Sequence, residues 1–264
     1  MTPCRSAATF EGVVDRWYRR VPPAGRGLRS AAFCDLYERA INGVLDALDL
    51  LQMTYWVTEG TLIGLLRYGR NDHPATGRTV DHDVDIMAEV TSPSEWDGLA
   101  LELTHHLGAV GWTDFKMMTT APQCSGRRDK LQGWLRGARF ARTRCDIHSY
   151  VADRPRSVAV SHNEVGCYPF QRWDGQLPLQ LIHPLGVVRC YDRAAPAPRC
   201  PLEVLRGWND GEYDDHECLA LPRRRLRSGE LSTIAAIAHQ LDADGFLSMK
   251  DELARCGHTT TATL

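Results

Sequence analysis

Asp83-Val84-Asp85-Ile86 constrains the fold more than any other stretch of the chain. Carboxylate and branched apolar residues alternate with the two-residue period of a strand. Asp83 and Asp85 therefore share one face while Val84 and Ile86 turn into a core. Two carboxylates held side by side repel each other unless a cation lies between them. Hard oxygen ligands favour Mg²⁺, with Mn²⁺ as a substitute, and such an ion binds one or two carboxylates and completes its shell with water and substrate phosphate. A lone Asp-x-Asp is common on surface loops. Here another acid, Asp81, stands two residues ahead, and the segment upstream gives the pattern a context.

That segment is Thr58-Glu59-Gly60-Thr61-Leu62-Ile63-Gly64-Leu65-Leu66-Arg67. A glycine turn opening an apolar helix exposes backbone N–H groups, which are a ready cradle for phosphate. Gly60 and the Thr61 hydroxyl are the expected phosphate contacts, and Asp83 and Asp85 the expected metal ligands. Taken together, these features suggest phosphoryl transfer. Arg67 is either a surface residue that snorkels or a phosphate clamp built on its planar donor fork. Glu59 reads as a structural residue of the turn.

A third acid is expected if a hydroxyl must be activated. Asp146, in Arg144-Cys145-Asp146-Ile147-His148, lies in an alternating strand where an acid is costly to bury without a partner. A neighbouring strand bearing Asp83 and Asp85 would supply that partner through a shared metal, so Asp146 is the expected third ligand or general base. His148 shares its face and reads as structural or exposed. Lys116 and Lys130 are further candidates for phosphate contact. His105-His106 ends a helix and interacts favourably with its dipole. His73, His82, Cys167 and the other cysteines form no ligand set.

Around these motifs the chain reads as follows. Residues 1–29, rich in Pro, Gly and Arg, form a loose arm with one short helix over Phe10–Arg19. Ser30 reads as an N-cap, after which Phe33, Leu36, Tyr37, Ala40, Ile41, Val44, Leu45, Leu48 and Leu51 recur at helical spacing. Tyr55-Trp56-Val57 is a short strand and residues 71–79 a loop. Ser92-Pro93 starts a helix that Gly108 stops. Trp112–Met118 and Ala138–Val151 are strands joined by a basic loop. Val158–Val160, Tyr168–Phe170, Leu179–Ile182 and Val187–Cys190 are short candidate strands, and Pro201–Trp208 is a helix. Glu230–Ala254 closes the chain as a helix or helix pair interrupted near Gly245. Helices followed by a mixed sheet bearing carboxylates make an α+β plan. The expected division is an arm over 1–29, a catalytic domain over 30–222 and a C-terminal helical segment over 223–264.

The chain has 264 residues and a net charge of −2, which gives little support for binding a nucleic acid polymer. Basic residues are nevertheless clustered at Arg127, Arg128, Lys130, Arg136, Arg139, Arg142 and Arg144, as a solvated face or a wall for a pyrophosphate. No run of about 18 apolar residues is present, so no transmembrane segment is expected. Met1–Gly12 lacks the apolar core of a secretory signal. The nine cysteines include no Cys-x-x-Cys pair, which fits reduced thiols in a cytosol.

Gly60–Arg67 followed by Asp81–Ile86 resembles the signature of the LicD / fukutin-related phosphotransferases, within the nucleotidyltransferase superfamily. Cys145–His148 falls where that family has a third Asp in a strand, and Pro201–Tyr213 is similar to its C-terminal helix and tail. The resemblance covers roughly residues 31 to 222. The loop before Asp81 is longer than in the family and lacks its Pro-Trp, and His82 replaces a frequent Asp. The resemblance implies a nucleotidyltransferase-like mixed β-sheet flanked by helices. It also implies Mg²⁺-dependent transfer of phosphocholine or an alditol phosphate from a CDP-linked donor to a glycan or sugar hydroxyl. Asp83 and Asp85 would hold the ion, Gly60 and Thr61 would position phosphate oxygens, and Asp146 would complete the site or take the acceptor proton. The family spans cytoplasmic and Golgi-lumenal proteins. The same residues serve transfer of NMP from an NTP to a small molecule or protein, and a silent scaffold is the reading from another class.

Overall fold

The computed structural model describes residues 26–75, 77, 79–81, 83–118, 129–135, 143–161, 175–207 and 229–255, with the backbone alone at 26–35, 161, 206 and 207. The Phe10–Arg19 helix, the Tyr168–Phe170 strand, His82, Cys167 and most of the basic cluster lie outside the described residues.

Helix α1 spans Arg26–Leu50 and buries Tyr37, Ala40, Ile41, Val44, Leu45 and Leu48, the stripe that the three- and four-residue spacing marks out. It begins a turn earlier than Ser30, because a serine is tolerated inside a helix as well as at its cap. After a turn, strand β1 (Tyr55–Val57) pairs antiparallel with β2 (Asp83–Val90), Val57 opposite Ile86. Between them runs α2 (Glu59–Tyr68), all ten residues of which are buried. It ends at Gly69, whose φ of 66° places it in the left-handed region; its N–H returns to the Leu65 carbonyl.

Helix α3 (Pro93–Ala109) begins as the sequence indicates, with the Ser92 hydroxyl accepting from the Glu95 N–H and proline in the first turn. It runs through Gly108 to Ala109, and Gly111, with a φ of 101°, follows in the turn before the next strand. Strand β3 (Trp112–Met118) then pairs with β4 (Lys130–Leu135), which occupies part of the expected basic loop. The pattern of β4 is hidden by Gly133, where a Cβ would stand 2.7 Å from the Phe115 ring and 3.3 Å from Cys145 Sγ. Strand β5 (Arg144–Asp153) is central: β2 lies parallel along one edge, and β4 and β6 (Val158–Ser161) lie antiparallel along the other. β7 (Gln176–Pro178) extends the sheet beyond β6.

The seven strands form one mixed sheet of order β1-β2-β5-β4-β3 with β6 and β7 branching from β5, the α+β plan of the sequence reading. Leu179–Ile182 is one helical turn, α4, rather than a strand; a four-residue run with three apolar positions is too short for periodicity to decide. Strands β8 (Gly186–Cys190) and β9 (Arg193–Ala197) make a separate ribbon, whose Pro196 obscured β9. Helices α5 (Pro201–Gly207), α6 (Glu230–Ala243) and α7 (Lys250–Arg255) follow, with the last two separated around Gly245 as expected.

α1 and α3 pack together and on β2, while α2 packs on β2, β8 and α6. The expected boundary at 222 lies outside the described residues, and α6 belongs to the packing around α2. Trp56, Trp96 and Trp112 are buried among the aliphatics of this core, each large apolar side chain contributing about 1.5–3 kcal/mol. Among the described residues no helix is long and apolar enough to cross a membrane.

Candidate functional site

The site is assembled by two glycines one helical turn apart. Gly60 and Gly64 lie on the same side of α2, and the chain leading into β2 presses against both. A Cβ at Gly60 would stand 1.6 Å from Asp81 Oδ2, and one at Gly64 would stand 3.1 Å from the Asn71 Cα. Asn71 in turn clamps Asp81 by its backbone, its amide donating to the Asp81 carbonyl at 2.5 Å and accepting from the Asp81 N–H at 3.0 Å. The first turn of α2 and the entry to β2 are thus fixed to each other through the Asp81 and Asn71 side chains.

Thr61 and Tyr37 complete the attachment. The Thr61 hydroxyl accepts from the Asp85 N–H at 2.8 Å and donates toward the Asp83 carbonyl at 3.3 Å. The Tyr37 hydroxyl donates to the same carbonyl at 2.8 Å and lies 3.1 Å from Thr61 Oγ1. The Thr58 N–H donates to the Asp85 carbonyl at 3.0 Å. The phosphate role expected of the Thr61 hydroxyl therefore meets a fully buried group already bonded to the strand.

Held in this way, Asp81, Asp83 and Asp85 converge. All three are buried, and one carboxylate oxygen from each lies within 4.8 Å of the others. An ion bound at about 2.0–2.1 Å from each ligand separates neighbouring oxygens by roughly 3–4 Å. Three hard oxygens at this spacing fit Mg²⁺ or Mn²⁺ after small rotations of the side chains. Asp81, which the sequence reading treated as context, is the third member of the group.

Asp146 stands beside this group rather than within it. It is directly opposite Asp85 in the parallel β2–β5 register, so the two strands do bring the acids together. Its oxygens are held by other donors: Lys130 Nζ at 2.7 Å and Arg144 Nη2 at 3.1 Å on Oδ2, and Gln132 Nε2 at 2.9 Å on Oδ1. Lys130 is thus a partner of Asp146. Gln132, which the sequence reading passed over, faces Asp146 across β4–β5. Both oxygens of Asp146 are thus already engaged, Oδ2 by two cations and Oδ1 by an amide.

The remaining candidates fall elsewhere. Arg67 is fully buried in the last turn of α2, about 10 Å of helix rise from Gly60, which excludes the snorkelling reading. Lys116 Nζ lies over the Trp134 ring, 5.3 Å from its centroid. His148 Nε2 is 3.7 Å from Glu59 Oε1, and burial, reinforced by Lys130, pushes its pKa down to about 3, so the ring is neutral. Glu59 opens α2 at a φ of 45°, held by its buried position rather than by a side-chain cap. A cleft of about 450 Å³ opens at the far end of α2, lined in part by Tyr68, Arg70, Arg189 and Tyr191, with none of Asp81, Asp83, Asp85 and Asp146 on its wall.

No family model matches the chain, and no curated protein does. Likeness alone assigns no family. Two solved structures align over most of the chain. The crystal structure of ANT(2")-Ia in complex with adenylyl-2"-tobramycin is 14% identical, covers 84% of this chain and 97% of its own, and has a TM-score of 0.41. The solution structure of the antibiotic-resistance factor ANT(2'')-Ia is 11% identical, covers 85% and 94%, and has a TM-score of 0.39. Alignments this loose carry no argument about what this chain does, and they lend no support to the likeness to LicD proteins in particular.

Proposed function

We propose that the protein is a divalent-cation-dependent transferase that moves a phosphorus-bearing group from a nucleotide donor to a hydroxyl of a small acceptor. The observation that carries this reading is the convergence of Asp81, Asp83 and Asp85 beside Gly60 at the start of α2. Buried carboxylates that crowd one another are a place for a cation, and a helix start is a place for phosphate oxygens. A bound Mg²⁺ supplies neutralisation of the charge that develops on the leaving phosphate.

The protein's own residues orient and accept. Asp83 and Asp85 are fixed through their backbones, which sets where their carboxylates start from when a donor arrives. The acceptor oxygen forms a bond to phosphorus as the bond to the leaving group breaks. Asp146 takes the hydroxyl proton once a cationic partner has released it. Such chemistry needs mainly positioning and charge stabilisation.

Nucleotidyl transfer, with pyrophosphate leaving an NTP, is the first donor assignment, because it requires no feature beyond this constellation. The CDP-linked donor is the second, favoured by the two motifs similar to LicD proteins. Incubation with each NTP, CDP-choline, CDP-ribitol or CDP-glycerol, with and without Mg²⁺, separates them. Pyrophosphate release supports the first and CMP release the second. Full turnover after both Asp83→Asn and Asp85→Asn refutes the enzymatic reading.

A further inference from the structure

Arg144 occupies a position that the rest of the site does not explain. It opens β5 directly opposite Asp83 in the parallel register, and its Nη2 reaches two carboxylates on adjoining strands, bonding to Asp83 and lying 3.1 Å from Asp146. One guanidinium nitrogen therefore joins an acid of the converging group to the acid outside it. The geometry points to Arg144 as the protein's internal counter-cation, which holds Asp83 in the metal-free state and must leave it when a divalent ion binds.

The physical argument has three parts. Asp83 bonds the guanidinium through one oxygen, and a divalent ion taken up by the same carboxylate would stand close to that positive charge and be repelled by it. Arginine cannot yield by losing its proton, and here, although burial opposes its charge, Asp83 above all, then Asp146 and Asp85, keeps the guanidinium ionised. It must yield by moving, and its side chain retains 31% of its exposure, so one side is open to solvent. Ion and arginine then compete for the same carboxylate, and by linkage each weakens the other. The competition also leaves Asp146 with one donor fewer, which is the release that the proposed proton transfer needs.

This inference rests on the metal reading of the acids. Titration with Mn²⁺, following the free ion by electron paramagnetic resonance, tests it on the wild type, Arg144→Gln and Arg144→Lys, with thermal unfolding in parallel. Arg144→Gln is expected to bind Mn²⁺ about tenfold more tightly than the wild type, within the usual span of coupling between sites. It should also melt lower without the ion and rise further with it. Arg144→Lys keeps the charge but replaces the planar guanidinium with a compact ammonium on a flexible stem, so its affinity should fall between the two. Should the glutamine variant not fold, tighter binding by the lysine variant supports the inference, and equal or weaker binding overturns it. Mn²⁺ binding that is unchanged or weaker in the variants removes the role of Arg144 while leaving the metal site in place. Absence of binding by all three proteins removes both.

Discussion

Asp81 Oδ2 lies where the Cβ of any residue other than glycine at position 60 would be, 1.6 Å from that point. The acid and the helix start therefore share one volume. Alanine within a helix normally stabilises relative to glycine by about 1 kcal/mol. Here the sign should reverse. Asp81 is short, its Cγ and Cβ also lie within 3.0 Å of the added methyl, and its backbone is clamped by Asn71. Gly60→Ala is expected to destabilise by about 1–3 kcal/mol, as overpacking does, and to weaken Mn²⁺ binding. Denaturant unfolding and ion titration check both.

Asp146→Asn separates the ligand role from the base role. With Asp81, Asp83 and Asp85 intact, Mn²⁺ affinity should stay within about threefold of the wild type, less than the roughly tenfold steps that a lost ligand support brings. Turnover should fall by roughly 10²–10⁴-fold, the usual contribution of a positioned proton acceptor. A large loss of ion affinity would instead place Asp146 among the ligands.

Thr61→Val should be destabilising by about 1–3 kcal/mol, since it leaves the Asp85 N–H without its acceptor at a buried position. Thr61→Ser keeps the hydroxyl and should restore most of that loss with little change in KM for the donor. A large rise in KM in the serine variant with unchanged stability would return Thr61 to a donor-binding role.

Glu95 gives the acid limb of stability one local contribution. Hydrogen bonds from the Thr91 hydroxyl and N–H hold its pKa below the usual value, so the folded state binds the proton less readily than the unfolded chain. Its stabilisation is present above the unfolded pKa and is lost as pH falls through the folded one. Glu95→Gln should therefore lower stability near neutrality by only a few tenths of a kcal/mol, because an exposed charged contact is screened by solvent, and should change nothing once the wild-type carboxyl is protonated. Urea unfolding at neutral and acidic pH, at matched ionic strength, measures the difference.

Strong periodicities made part of this fold legible. The alternation of Asp83–Ile86 fixed which side of β2 is polar, and the stripe from Tyr37 to Leu48 fixed the buried face of α1. What escaped was tertiary contact without a period. Gly64 lies in α2 and Asn71 and Asp81 in the loop after it, and only packing reveals that they bind the strand entry to the helix. Gln132 and Lys130 sit in a strand that Gly133 disguises, so the donors that occupy Asp146 could not be paired with it beforehand. Two hydrophilic residues at strand spacing, Arg144 and Asp146, were visible; that the arginine spans two strands was not.

Because every residue of α2 is enclosed, the segment that aims the acids is also the middle of the protein's interior. Selection for robustness and selection for chemistry act on the same ten positions, and few substitutions can satisfy one without disturbing the other. New preferences for donor or acceptor must then arise in the surrounding loops, while this helix stays as it is.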